Sequence, residues 1–438
     1  MICHGDSLVN IKVNNVVSVD NIHLPEKDVD NLSRRIQRAS QIMQAMVDTA
    51  GFRGQIKSAG TSTLTNVYRR RDLVSDVSWC EVRGVQVVRH QGDPVKEYRD
   101  AVNTVAVRDR SHRGRIRVDG KTPVAALQGI LTGRMPVAPV QSTEVVWKGK
   151  SFYSAVLTPK ARVVTDLRIM WGSHHAEQET LFLDVPYIGL TPFIEYLRRT
   201  VPPRLAKFED ITEETGLLSF VGPEATKIVA KFLLGSNNQT ALLNDCEHGD
   251  YILSNLDGGD IRIVRMEEVS VGGWNVFSSK KNVRDLWARL KSARVQAFGA
   301  SVWEILRVEA GVPAFGQDIG DANIFPETGL VDKAVDHNKG CYTGQEIVVR
   351  VRDRGRINRL LSGFCLHGEI LPKIGEKLFV GDREVGWLTS IVQSPRAGGT
   401  VALGYVRQDL SARDIITVGP SSEFKATAIS LCSNWLDL

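Results

Sequence analysis

Cysteine is scarce and shows no pairing pattern: six among 438 residues, at positions 3, 80, 246, 341, 365 and 432, with no C-x-x-C and no closely spaced Cys/His group. Neither a disulfide framework nor a zinc site is therefore expected, no other metal site is indicated, and the thiols are expected to be reduced. Long hydrophobic runs are missing as well. No stretch reaches the roughly 18 apolar residues of a spanning helix, and no signal-peptide core follows Met1, so neither membrane insertion nor export through a recognisable leader is expected. A strong charge of one sign is also lacking. Fifty-five Lys+Arg against 50 Asp+Glu leave +5, too little for the basic stripe of a nucleic-acid binder but compatible with an anionic small ligand. With 42% hydrophobic and 24% charged residues, the composition excludes disorder, collagen-like repeats and a pure coiled coil. The length predicts two or three domains.

Acids are almost absent from residues 31–71, where Arg34, Arg35, Arg38, Arg53, Lys57, Arg69, Arg70 and Arg71 face only Asp48. Two readings stay open. Arg- and Ser-rich, acid-poor composition suits an organellar transit segment, and it suits equally a basic surface helix over Ser33–Val47 followed by a loop. Residues 1–80 are set apart as an N-terminal extension.

From residue 81 short β-rich runs alternate with amphipathic helices, which predicts an α+β fold. Two units look alike. Ile116–Val118, the Asp119-Gly120 turn and a helix over Pro123–Leu131 recur 102 positions later as Leu218–Phe220, Gly222-Pro223 and a helix carrying Val229, Phe232 and Leu233. Each is followed by further strands (Phe152–Leu157, Val163–Met170 and Thr180–Val185; then Ile261–Arg265 and Trp274–Phe277). Each ends in a helix, Thr191–Arg199 or Val283–Ser292. That order predicts two ferredoxin-like units. Beyond residue 355 helical periodicity gives way to short alternating strands (Leu360–Leu366, Lys377–Val380, Val385–Ser390, Val401–Val406, Phe424–Ser430) with Gly381-Asp382 and Gly398-Gly399 turns, predicting a C-terminal antiparallel β-barrel or sandwich.

The segment richest in chemistry is Lys339-Gly340-Cys341-Tyr342-Thr343-Gly344-Gln345-Glu346. In extended backbone Lys339 and Cys341 fall on the same side, and an ammonium there would favour the thiolate. The other reading is a small buried cysteine in a tight loop. Arg350, Arg352, Arg354, Arg356 and Arg359 follow closely. A strand over 346–351 would put Arg350 on the face of Glu346, and Arg350 alone is given a site role, as a fork for a carboxylate or phosphate.

Residues 339–346 meet the K-G-C-Y-x-G-Q-E signature of the folate-binding YgfZ/Iba57 family, relatives of the glycine-cleavage aminomethyltransferase (GcvT-like) fold, and the chain resembles that family along residues 95–410. Supporting matches include Glu97-Tyr98, Asp109–Gly114, Leu131-Thr132, Asp166-Leu167, Phe220–Ala225, Arg307–Gly311 and Ala402–Gly404. The resemblance implies a three-domain ring around a central channel that holds tetrahydrofolate. Its parts would be a folate-binding domain of 81–115 plus 205–355, a second ferredoxin-like domain of 116–204, and a barrel of 356–438. It implies that Tyr153 and Asp166 contact the pterin, with Asp166 moving protons. Arg307, Gly344, Gln345, Glu346 and Arg350 are expected at the cofactor site with them. Asp166 reads equally as a strand-edge carboxylate.

Two positions depart from the aminomethyltransferases: Asn275 stands where they carry a pterin-clamping glutamate, and Trp303 where they carry an arginine. Neither can make the same charge-assisted bonds. Three functions are therefore carried forward. The first is a folate-binding protein assisting iron-sulfur cluster assembly in a chloroplast or mitochondrion, with Cys341 as the working thiol, Lys339 tuning it, and assembly proteins or client cluster enzymes as partners. The second is a tetrahydrofolate-dependent aminomethyltransferase or demethylase using Asp166. The third is a non-enzymatic folate-responsive scaffold.

Overall fold

The computed structural model describes residues 77–173, 179–234, 240–256, 259–355, 357–367, 372–411, 414–419 and 424–429. The helix expected over Ser33–Val47 lies outside them. Strand β1 (Val77–Val82) begins inside the stretch set apart as an extension and pairs with β2 (Val85–Gln91). Arg83 and Gly84 turn this hairpin with φ of 49° and 81°. Asp93 caps α1 (Pro94–Asn103) by accepting from the Val95 amide at 2.9 Å, and the proline sits at the helix start, where no amide is missed.

The chain continues through β3 (Ala106–Asp109), β4 (Gly114–Asp119), α2 (Pro123–Gln128), β5 (Val140–Thr143), β6 (Val146–Lys150), β7 (Phe152–Leu157), β8 (Val163–Trp171), β9 (Leu181–Val185) and α3 (Tyr187–Thr200). Next come β10 (Lys207–Asp210), β11 (Thr215–Val221), α4 (Ala225–Leu233), α5 (Thr240–Asn244), β12 (Asp250–Leu256), β13 (Gly259–Met266), β14 (Gly273–Ser279), α6 (Lys280–Ser292), β15 (Gln296–Ala297) and α7 (Ala300–Glu309). A 3₁₀ turn (Phe325–Thr328), α8 (Val331–Ala334) and α9 (Gln345–Arg354) lead into β16 (Arg359–His367), β17 (Lys377–Val380), β18 (Arg383–Ser394), β19 (Gly399–Arg407), β20 (Ile416–Val418) and β21 (Phe424–Ile429).

These strands form a five-stranded sheet in the order β10-β4-β9-β8-β7, an eight-stranded sheet in the order β15-β3-β11-β14-β13-β12-β6-β5, and a closed six-stranded barrel. All pairings in the two sheets and the barrel are antiparallel except β15 with β3. The α+β class and the antiparallel barrel are therefore as the sequence predicts. The two recurring strand–turn–helix segments fall in different sheets, β4 and α2 with the first, β11 and α4 with the second. Strands β5 and β6 lie between β4 and β7 in sequence yet join the eight-stranded sheet through β12. The strand expected over 346–351 is instead part of helix α9. Helical spacing preserves one consequence of that expectation, because Glu346 and Arg350 are again neighbours at i, i+4.

Apolar faces at strand and helix spacing explain the packing. Leu127, Ile130 and Leu131 bury against the five-stranded sheet with Ile116 and Leu183. Val229, Leu233, Val283, Leu286 and Leu290 cover the eight-stranded one. Helix α7 packs between the hairpin and the barrel, and strand β2 crosses its start so closely that a Cβ on Gly299 would sit 2.0 Å from the Arg89 carbonyl oxygen.

Two arginines on β4 serve as an internal contrast. Arg115 is fully buried and donates to Thr215 Oγ1 at 2.7 Å and to the carbonyls of Ser111 (3.0 Å), Arg113 (2.5 Å), Thr212 (2.7 Å) and Thr215 (3.1 Å). It thereby ties β4 to the approach of β11. Arg117, two residues on, points to solvent and pairs with Asp119 and Glu209. Arg115→Leu strands several buried carbonyls and should lower stability by about 3 kcal/mol or more. Arg117→Leu should cost at most about 1 kcal/mol. Urea denaturation midpoints of the two variants check the contrast, and equal midpoints would contradict it.

Candidate active site

Strand alternation places the polar groups. On β8 Asp166 and Arg168 are two residues apart and so share a face, and the register puts Tyr153 of β7 and Asp184 of β9 on either side of Arg168. The Tyr153 hydroxyl donates to Asp166 Oδ2 at 2.6 Å, while Asp166 Oδ1 is buried without a hydrogen-bond partner. Burial pushes the Asp166 carboxyl above its ordinary value, more than the Tyr153 bond and Arg113 lower it. Asp184 accepts from Arg113 Nε at 2.7 Å.

The eight-stranded sheet supplies the opposite wall. Arg110, just beyond β3, donates to Glu268 at 2.6 Å, and Glu268 also accepts from Asn275 Nδ2 at 3.1 Å. Burial would raise the Glu268 carboxyl, but Arg110, Arg113 and Arg168 outweigh it and hold it at about 2, so this group is ionised. The Arg110 guanidinium lies 3.9 Å from the Trp303 ring centroid, a cation–π contact. His112 is kept neutral by burial and by the surrounding arginines, and its Nδ1 has no hydrogen-bond partner.

Between these walls lies a cavity of about 400 Å³. Val82, Arg83 and Val85 of the hairpin, Trp303 and Arg307 of α7, and Val312–Phe315 close it further, and Phe152 and Phe315 add flat apolar surface. Its size falls within the range of small-molecule sites. Among the described residues, none that lines it comes from the barrel.

Of the residues expected in the site, Tyr153, Asp166 and Arg307 line this cavity, whereas Lys339, Cys341, Gly344, Gln345, Glu346 and Arg350 do not. Arg307 lines it as a wall rather than as an open donor. Its Nε and both terminal nitrogens bond Glu304, the Val312 carbonyl, Asp318 and Ser390 at 2.6–3.0 Å, which uses all five donors.

Residues 339–346 act as a buckle. The Lys339 ammonium donates to the carbonyls of Leu131 (2.7 Å) and Gly133 (2.9 Å), so it is turned to backbone oxygens. Burial lowers it to about 8. The Thr343 amide bonds the Gly129 carbonyl at 3.0 Å, Tyr342 enters the core, and Gly344 adopts φ 85° where a Cβ would lie 2.8 Å from the Thr158 carbonyl oxygen. Cys341 is exposed between them, so the buried-cysteine reading is corrected. Glu346 and Arg350 are also exposed, and Gln345 is half-buried.

The sequence reading did not single out Arg113, His112, Arg168, His248 and Glu268 as site groups. Charged residues inside the otherwise apolar run of β8 were the available signal, since a strand buried on both faces has little room for an ion without a purpose. Glu268 gave none: it sits in an ordinary acidic turn between two strands.

Residues 63–339 match the GCVT N-terminal domain and residues 359–432 the glycine cleavage T-protein C-terminal barrel domain. A putative chloroplastic transferase of Arabidopsis thaliana is 28% identical over 319 residues, 72% of this chain and 69% of the relative. An aminomethyltransferase of Rubrobacter xylanophilus is 26% identical over 313 residues, 71% of this chain and 79% of its own. Among solved structures, the glycine cleavage system aminomethyltransferase T of Bartonella henselae is similar with a TM-score of 0.72 at 19% identity, over 85% of this chain and 97% of its own, a likeness of fold. The first domain match alone spans more than half of the sequence, and with the barrel that follows it the chain belongs to the glycine-cleavage T-protein (GCVT) family.

Proposed function

We propose that the cavity binds a tetrahydrofolate and that the protein transfers a one-carbon unit, with Asp166 as the proton-handling group. The observation that carries this reading is the Asp166 carboxyl itself: buried in the cavity wall, held above the ordinary carboxylate range, fixed at one oxygen by Tyr153 and unpartnered at the other. A group so placed can take or return a proton more readily than an exposed aspartate. The donor set also fits a pterin. Ionised Glu268 offers acceptors for ring N–H groups, neutral His112 has a free ring nitrogen, and Trp303, Phe152 and Phe315 provide apolar surface for a flat ring. A bound tetrahydrofolate would supply the nitrogens that carry the one-carbon unit. Tyr153 keeps Asp166 oriented, Glu268 and Asn275 hold one another in place, and the hairpin tip limits water at the cavity. The aminomethyltransferase relatives support this class of reaction.

A second reading is favoured by one observation, the exposure of the Cys341 thiol on a rigid buckle outside the cavity. A YgfZ/Iba57-type role in iron-sulfur cluster assembly would use it against a partner protein, which a solvent-facing thiol permits. Location in a chloroplast accords with the Arabidopsis relative. In this reading Cys341→Ser fails to restore cluster-enzyme activity in a deletion strain while folate binding is unchanged; full restoration removes the role.

For the leading reading, Asp166→Asn should keep tetrahydrofolate affinity within about tenfold and lower transfer from aminomethyl or methyl donors by about 10²–10⁴-fold. Single-turnover assays with titration calorimetry separate the two effects, and transfer at the unaltered rate would overturn the assignment. As a base Asp166 works only when ionised. Activity should therefore fall as pH drops through its raised pKa, above the ordinary 3.8, and the asparagine variant should lack that acid limb.

A further inference from the structure

The cations of the cavity are not equivalent. Arg83, Arg110, Arg113 and Arg307 each have a carboxylate partner in Glu304, Glu268, Asp184 or Asp318, and Lys150 has Asp250 and Glu247. Arg168 has none among the described residues. It is 8% exposed and bonds only Ser151 Oγ at 3.1 Å and His248 Nε2 at 3.4 Å. Lys333 of α8 lines the same cavity, exposed and without an ion pair among the described residues. Arg168, Lys333 and His248 line one cavity, and the charges that act on His248 there are Arg168, Glu268, Lys333 and Lys150.

His248 completes the set. Burial, then Arg168, lowers it to about 4, so it is neutral at pH 7. An arginine can only donate, so Nε2 accepts from Arg168 and the ring proton must sit on Nδ1. That N–H has no hydrogen-bond partner; its nearest acid, Glu267, is 3.8 Å away. Glu268 and Asp184 act on the Arg168 guanidinium through space, but neither forms an ion pair with it. A buried guanidinium without a directly bonded carboxylate is costly, and the cost is relieved when a ligand supplies one.

We propose that Arg168, Lys333 and His248 Nδ1 form a carboxylate-binding subsite of the cavity, separate from the Tyr153–Asp166 pair. A planar guanidinium with one ammonium matches a single carboxylate, whereas Glu267 and Glu268 in the same lining would repel a phosphate dianion. The subsite deepens the folate reading and rests on it for the identity of the ligand. The carboxylate comes either from the glutamyl tail of the folate or from an amino-acid one-carbon donor, and the two sources separate experimentally.

Titration calorimetry of the full chain would use 5-formyltetrahydrofolate, its pteroyl analogue without glutamate, and dimethylglycine. The proteins are the unaltered form, Arg168→Ala, Arg168→Lys and Lys333→Glu; the last changes an exposed side chain and guards against misfolding at Arg168. If the tail is the source, the unaltered protein prefers the glutamylated folate by about tenfold or more, and Arg168→Ala and Lys333→Glu abolish the preference while leaving the pteroyl analogue unaffected. If the donor is the source, the two folates bind alike and dimethylglycine affinity falls about tenfold in the same variants, with Arg168→Lys intermediate. Folate binding with no carboxylate preference lost in any variant overturns the subsite but keeps the folate reading. Dimethylglycine binding that depends on Arg168 and Lys333, with no folate binding, keeps the subsite and removes the folate reading. No binding of any probe removes both.

Discussion

One buried guanidinium organises the meeting of helix α7 and the hairpin with the barrel. Arg307 bonds Asp318 at 2.7 Å, and Asp318, whose side chain is fully buried, also accepts from Thr389 and Ser390 of β18, both at 2.6 Å. The other side of the same arginine holds Glu304, which reaches Arg83 at the hairpin tip at 2.9 Å. Helix α7, the loop after it, the barrel and the hairpin are thus linked through charge-assisted bonds in a region nearly sealed from water, where unpaired ions are intolerable. Burial would raise Glu304, yet Arg307 and Arg83 overcome it and hold it at about 2. The barrel therefore shapes the cavity although none of its described residues lines it: it fixes the face of α7 from which Trp303 projects.

Local chemistry made much of the fold legible. Phe152–Leu157 and Lys377–Val380 have the predicted bounds because alternation and turn residues delimit them. The strand expected over 346–351 failed for an instructive reason. Its Ile and Val residues favour a strand, but Gly344 in a left-handed conformation opens a helix there, and packing of Val348 into the core overrides propensity. Sheet membership was not legible either. That β5 and β6 leave their sequence neighbours for β12 is a tertiary choice to which alternation is blind.

The site divides in the same way. Tyr153 and Asp166 could be expected from resemblance and do meet in one hydrogen bond. The eight-residue signature, expected at the cofactor site, does not line the cavity, and several of its groups hold the loop in place. Lys339, the natural partner for a thiolate, is committed to two carbonyls of the turn after α2, and Tyr342 and Gly344 hold the loop to the core. What the signature leaves exposed is the Cys341 thiol, with the Glu346 carboxylate in the first turn of α9. Sequence spacing put Lys339 and Cys341 on one side, but it could not show which backbone oxygens lay nearby to claim the ammonium.

The two departures at Asn275 and Trp303 look different once their neighbours are known. Asn275 does not stand alone: its amide donates to the ionised carboxylate of Glu268, so the cavity retains an anion beside that position. Trp303 does not leave its place without a guanidinium either, since Arg110 lies over its ring and is itself neutralised by Glu268. A substitution read singly exchanges a charge for an amide or an indole; read with its contacts, the charge is present on a neighbouring side chain. The same logic explains why Arg168 is the exception worth testing. Every other arginine in the lining bonds an acid of the chain directly, whereas Arg168 feels Glu268 and Asp184 only through space and keeps donors for a negative group from outside.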